Sequence, residues 1–336
     1  MNSSDDPIQT AKKSFLARTE RGPLETETVS LLSARGRVLA DDVPTVMDDP
    51  PYCRSIMEGY VFFASDAADA SKEKPFTLDV SGEIPVGIGE AIGLVPGKAL
   101  SVTTGSYIPD GDYAVVRRFD VQREGNNISL TRPIKMHENM EIQGETRKKG
   151  STLFRKGDRI TSDDIFLLAS QGILELKVAK SPRVALFSSG DEVIPPTAPL
   201  RIGAIWDCNS YGLSSLIQEA GGIPLFRGIV RDDFDRFVKE VRTALQDADM
   251  VVISGGTAVG GRDFTVDLLN AVGSPGALVK GIPMRSGKPI VLGVAGPKPI
   301  VCVAGHPPEA ARGFSLFGRP AISHLMGEIH NRKGVQ

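Results

Sequence analysis

The residues best suited to chemistry begin at Met250, in the stretch MVVISGGTAVGGRDFT. Four β-favouring apolar residues lead into Ser254, Gly255, Gly256 and Thr257. Glycines let backbone N–H groups approach an anion closely, and a helix starting just beyond adds its positive end. This arrangement suits a phosphorylated ligand. The plainer alternative is a glycine turn that only redirects the chain. The spacing matches neither G-x-x-x-x-G-K-[ST] nor G-x-G-x-x-G, which argues against P-loop nucleotidases and Rossmann dehydrogenases.

Carboxylates recur after the other strand-like runs: Asp191 and Glu192 in SSGDEV, Asp207 with Asn209 in GAIWDCNS, Asp232 and Asp233 in GIVRDD, and Asp263 in GGRDFT. One Asp before a helix reads as an N-cap. The set, gathered at several strand ends, reads as a hard-cation site such as Mg²⁺, which takes one or two carboxylates and completes its shell with phosphate oxygens. Positive charge follows in VKGIPMRSGKP, where Lys280, Arg285 and Lys288 suit an anionic ligand or, equally, a solvated surface. In VAGHPPEAARGF, Gly305 ends a strand and Pro307 opens a helix, a second candidate anion site. His306 is a ligand, an acid or a structural residue.

These residues need a scaffold. Strands near 184–187, 223–226, 250–253, 290–294 and 300–303 alternate with helices near 210–220 and 234–246, a helix from Phe264 and a closing helix. Such alternation predicts a doubly wound α/β domain with a mostly parallel sheet, whose ligands sit beyond the carboxyl ends of its strands. We place it at 181–329, with a tail at 330–336. Short strands between Gly and Pro turns predict an inserted β domain at 46–134. Residues 1–45 and 135–180 read as the two pieces of a discontinuous N-terminal domain. Helical spacing appears there in AKKSFLARTE, in VSLLSARGRVLA up to Gly36, and in TSDDIFLLASQGI, capped by Thr161 or Ser162. The fold class is thus multidomain α/β plus β.

A chain of 336 residues with 41% hydrophobic and 24% charged residues has an ordinary globular composition and room for two or three domains. Its net charge of −2 gives no global reason to expect nucleic acid or an anionic membrane as partner. Apolar runs are cut by Lys, Pro and Gly well short of the ~20 residues of a bilayer span. The start MNSSDDPIQTAKKSF lacks the parts of a signal peptide, so the expectation is a cytoplasmic protein. Cys53, Cys208 and Cys302 lie far apart and read as reduced, small buried residues.

Eight segments carry a resemblance: SIMEGYV, VTTGSYIPDGDYAVV, RVALFSSGDEV, GAIWDCNSYGL, GIVRDD, SGGTAVGGRDFT, MRSGKP and VAGHP. In order and spacing the chain resembles, over nearly its whole length, the molybdopterin molybdenumtransferase family, that of MoeA and the gephyrin E domain. The resemblance implies an elongated homodimer with a molybdopterin-binding α/β domain, working beside other molybdenum cofactor biosynthesis proteins. It implies that adenylylated molybdopterin is cleaved with Mg²⁺, molybdate is inserted and AMP released. Carried over by motif, the acids are Glu58, Glu192, Asp232 and Asp263, with Asp232 and Asp263 as metal ligands. Thr104, Arg147, Lys280, Arg285, Lys288, Gly305 and Pro307 fall on substrate-binding positions.

Departures from the family pattern are equally plain. Cys53 and Arg54 replace Asp-Asn, Glu58 replaces a shorter Asp, and Ser151-Thr152 replace Glu-Asp. Ala258 and Gly261 replace a serine and an acid, Phe119 replaces an acid, and His306 replaces an asparagine. The small C-terminal β domain usual in the family is expected to be missing. A second reading therefore stands beside the enzyme: a catalytically degenerate molybdopterin- or nucleotide-binding paralogue acting as carrier or regulator. A third is an enzyme acting on another phosphorylated or anionic ligand.

Overall fold

The computed structural model describes residues 6–90, 93–231, 233–255, 264–282 and 290–329. The chain folds into two compact units, one of Val43–Phe154 and one combining Met1–Asp42 with Arg155–Gln336. Residues 135–154 thus group with the β-rich unit. No helix among the described residues is long and apolar enough to cross a membrane.

The larger unit opens with helix α1 (Pro7–Leu16), where Asp6 caps the Ile8 N–H at 3.0 Å and Pro7 takes the first turn, which needs no donor. Helix α2 (Ser162–Ser170) carries a capping box between Thr161 and Asp164. The stretch VSLLSARGRVLA departs from its helical spacing. It forms the strand Thr26–Ser30 and a short 3₁₀ turn, because Val29 pairs with Leu176 of the strand Glu175–Ala179 while Leu32 is left 92% exposed. Cross-strand pairing outweighs the local periodicity.

A six-stranded sheet forms the centre of this unit. Its strands in chain order are β1 (Arg183–Ser189), β2 (Ile223–Val230), β3 (Met250–Gly255), β4 (Pro275–Ile282), β5 (Ile290–Ala295) and β6 (Lys298–Val303). In space they lie β2-β1-β3-β6-β5-β4. The first four run parallel, and β5 and β4 extend the sheet antiparallel. Period-2 alternation sends Val184, Leu186 and Val252 into one core and Ala185, Phe187, Val251 and Ile253 into the other. Both faces are buried, so these strands read as continuous apolar runs.

Helix α3 (Asn209–Glu219) covers the first face with Leu213 and Ile217, and α1 adds Ala11 and Phe15 to it. Helices α4 (Phe234–Asp247) and α5 (Phe264–Val272) cover the second, where Phe237 packs its ring on Phe187 and Phe264. A final helical run starts at α6 (Pro307–Gly313) and returns to the first face through Phe314, Phe317 and Ile322. Strand β4 has no period-2 signal in the sequence. It is an edge strand with Pro275 at its first position and register shifts at two places, where Pro and irregularity are tolerated.

The β-rich unit holds a second six-stranded sheet. Its order is Tyr113–Arg117, Gly59–Phe63, Lys98–Val102, Phe76–Ile84, Asn127–Leu130, Gln122–Glu124, antiparallel except between Phe76–Ile84 and Lys98–Val102.

Candidate active site

Strand register lines up the α/β site. Ser188 of β1 pairs with Ser254 of β3, and Ser254 pairs with Val303 of β6, so the carboxyl ends of three parallel strands finish on one level. There Gly255 has φ +91°, and a Cβ on it would collide with the Ser189 carbonyl. Only glycine fits the last position of β3 in this conformation.

Asp207 is 3% exposed and saturated by local donors. The Ser188 hydroxyl donates to it at 2.9 Å, the Ser210 N–H at 3.0 Å, and the Ser210 hydroxyl as well. The carboxylate thus occupies the N-terminal end of α3, where the helix would favour a ligand anion. Asn209 also faces inward: its Nδ2 donates to Ser254 Oγ and to the Gly305 carbonyl, each at 2.7 Å. The geometry makes both residues braces of the strand ends. Sequence reading missed their partners Ser188 and Ser210. The paired serines of FSSGDEV, at a strand's end, are the signal that marks Ser188.

The other predicted residues surround this brace. Glu192 is exposed, with its carboxylate folded over Gly190; a Cβ on that glycine would lie 2.6 Å from Oε2. Asp233 caps α4 by accepting from the Arg236 N–H at 3.1 Å. Lys280 is exposed on β4, which points the same way as β6, so it reaches the same edge of the sheet. Counted in strand spacings of ~4.8 Å, it stands about 14 Å from β3. Gly305 and the exposed His306 precede Pro307 at the start of α6. Asp232, Gly256, Thr257, Asp263, Arg285 and Lys288 lie outside the described residues. Among the described residues no three His, Cys, Asp or Glu side chains gather as a metal site. Cys53 and Cys302 are buried as expected, whereas Cys208, at the N-cap of α3, is exposed.

In the β-rich unit, Glu58 pairs with Arg118 at 2.7 Å. Thr104 Oγ1 is 3.5 Å from the Ile56 carbonyl, on the loop that leads into Glu58. Arg147 is half-buried against Asp49 at 2.9 Å. Arg54 pairs with Glu141 at 2.6 Å, and Phe119 stands 95% exposed.

Residues 7–172 match the family model of the MoeA N-terminal region (domain I and II), and residues 185–324 that of a probable molybdopterin binding domain. The molybdopterin molybdenumtransferase of Nostoc sp. is 32% identical over 306 residues, covering 90% of this chain and 70% of the relative. That of Bacillus subtilis is 32% identical over 302 residues, covering 89% and 70%. A solved molybdopterin biosynthesis MoeA protein from Pyrococcus horikoshii superposes with a TM-score of 0.80 at 30% identity, covering 96% of this chain and 80% of that one. Both halves of the chain therefore agree: this chain belongs to the molybdopterin molybdenumtransferase (MoeA) family of molybdenum cofactor biosynthesis enzymes.

Proposed function

We propose that the protein inserts molybdate into adenylylated molybdopterin and releases AMP. The observation that carries this reading is the braced row of strand ends, in which Asp207 holds Ser188 and Asn209 holds Ser254 and Gly305 at the carboxyl edge of a parallel sheet. Ser254 and Gly255, with Gly256 and Thr257 following, cradle the substrate's phosphate through backbone N–H groups. Lys280, Arg285 and Lys288 attract molybdate and offset the charge on the departing AMP. Glu58 and Glu192 supply carboxylates, and Thr104, Arg147, Gly305 and Pro307 complete the binding positions. Mg²⁺ would be held by Asp232 and Asp263 and would offset phosphate charge. The protein works as a homodimer in the cytoplasm, beside other enzymes of the same biosynthesis.

The degenerate-paralogue reading draws on residues 151 and 152. The Ser151 hydroxyl lies 3.1 Å from that of Thr45, and Thr152 pairs with Pro44 through its backbone, so the Ser151 side chain, which replaces a carboxylate, is used by the fold. One experiment separates the readings. Purified protein is given adenylylated molybdopterin, molybdate and Mg²⁺, with Asp263→Asn alongside. AMP from wild type, and at least about a hundredfold less from the variant, supports the enzyme. Tight substrate binding without AMP overturns it in favour of a carrier.

A further inference from the structure

The β-rich unit holds a carboxylate and a guanidinium at an open strand end. Gly59 lies opposite Arg117 in the antiparallel pair Gly59–Phe63 and Tyr113–Arg117. One step beyond the ladder Glu58 faces Arg118, whose N–H donates to the Glu58 carbonyl at 3.1 Å. A Cβ on Gly59 would collide with the Val116 carbonyl, so the two backbones close here as only glycine permits. Side chains 58 and 118 are therefore direct cross-strand neighbours. Arg118 Nη1 donates to Glu58 Oε1 at 2.7 Å, and this hydrogen bond, aided by the Glu58 charge, raises the Arg118 pKa.

Both side chains are 55% exposed, more than either partner of the Arg147–Asp49 or Arg54–Glu141 pair in the same unit. Solvent screens such a pair, and its contribution to stability is small. A guanidinium carries five N–H donors. Among the described residues the Arg118 side chain makes no hydrogen bond except that to Glu58. The pair thus leaves a fork of unused donors beside a carboxylate that the family resemblance assigns to the site.

We propose that Arg118 is a substrate-recognising residue: one nitrogen fixes the Glu58 carboxylate, and the remaining donors bind a phosphate oxygen of the adenylylated substrate. Planar N–H forks match phosphate oxygens, and a guanidinium stays charged at any working pH. The extra methylene of Glu58 suits the arrangement, since it carries the carboxylate out to the guanidinium while both remain open to solvent. This inference rests on the site reading of Glu58 given above.

The test uses the full chain as wild type, Arg118→Ala, Arg118→Lys, and the exchanged pair Glu58→Arg with Arg118→Glu. Direct binding of adenylylated molybdopterin, steady-state AMP release and thermal melting are measured for each. Arg118→Ala is expected to melt with wild type while Kd and KM rise about tenfold, the loss of one charge-assisted contact. Arg118→Lys, which keeps charge without the fork, recovers part of that loss and serves as the readout should the alanine variant fold poorly. The exchanged pair restores the ion pair but leaves the cation on the wrong strand, so its Kd stays high. Wild-type Kd in Arg118→Ala, or in the exchanged pair, overturns the proposal and reduces the pair to a structural contact. If wild type releases no AMP, the molybdenumtransferase reading falls, and the Kd comparison decides the role of Arg118 by itself.

Discussion

The side-chain amide of Asn209 reaches the Gly305 carbonyl at 2.7 Å and so joins the start of helix α3 to the end of strand β6. The same Nδ2 also holds Ser254 at the end of β3. One side chain thus fixes three chain segments around the candidate phosphate site. Asn209→Ala removes both bonds and is expected to cost about 1–2 kcal/mol of stability. AMP release should fall more than that loss alone explains. A melting curve and a KM-against-kcat comparison on one preparation check this; unchanged kinetics would show that the strand ends hold their places without the amide.

Asp207 anchors the other side of the brace. Its carboxylate is buried and receives donors from Ser188 and Ser210, so Asp207→Ala leaves two hydroxyls and an N–H at the α3 start without their acceptor. The expected destabilisation is about 2–3 kcal/mol, since bonds to a charged acceptor are lost. Asp207→Asn keeps the shape and part of the bonding and should lose less. Chemical denaturation of the three proteins tests the ranking.

Gly255→Ala should be more damaging than its size suggests. The residue adopts φ +91°, and a methyl group would meet the Ser189 carbonyl. Strain of about 1–3 kcal/mol is expected at the end of β3. Loss of AMP release with a retained far-ultraviolet circular dichroism spectrum is the outcome to look for. Wild-type activity would mean that the conformation of Gly255 does not matter to the reaction.

Glu138 gives a pH signature in the β-rich unit. The hydrogen bond from Arg132, 2.7 Å from Oε1, holds its carboxyl below the usual glutamate range. A depressed folded-state pKa contributes stability that is present above the unfolded value of about 4.3 and is lost as pH falls through the folded one. Melting between pH 5 and 2 should therefore show acid destabilisation that is smaller in Arg132→Ala. Identical acid profiles would remove this pair from the acid response.

The sequence carried the α/β unit because both faces of its sheet are buried. Strands such as MVVI and amphipathic helices such as the one from Phe234 announce themselves in apolar runs and in 3.6-residue spacing. Strand β4 did not, because an edge strand with Pro275 and bulges satisfies no period. Nor did the strand Thr26–Ser30, whose partner Leu176 lies far along the chain. Ordered motifs were enough to identify the family, since each places a polar residue type at a strand end or glycine turn.

What the sequence by itself determined was therefore the alternation of elements, the family, and which residue types stand at the strand ends. Only tertiary structure decided what those residues do. In the sequence Asp207, Asn209 and Glu58 are equivalent polar groups near turns. Folding buries Asp207 among donors, turns Asn209 onto Ser254 and Gly305, and sets Glu58 in the open against Arg118. Burial and partner geometry, which depend on residues distant in sequence, separate a brace from a group left to meet a ligand.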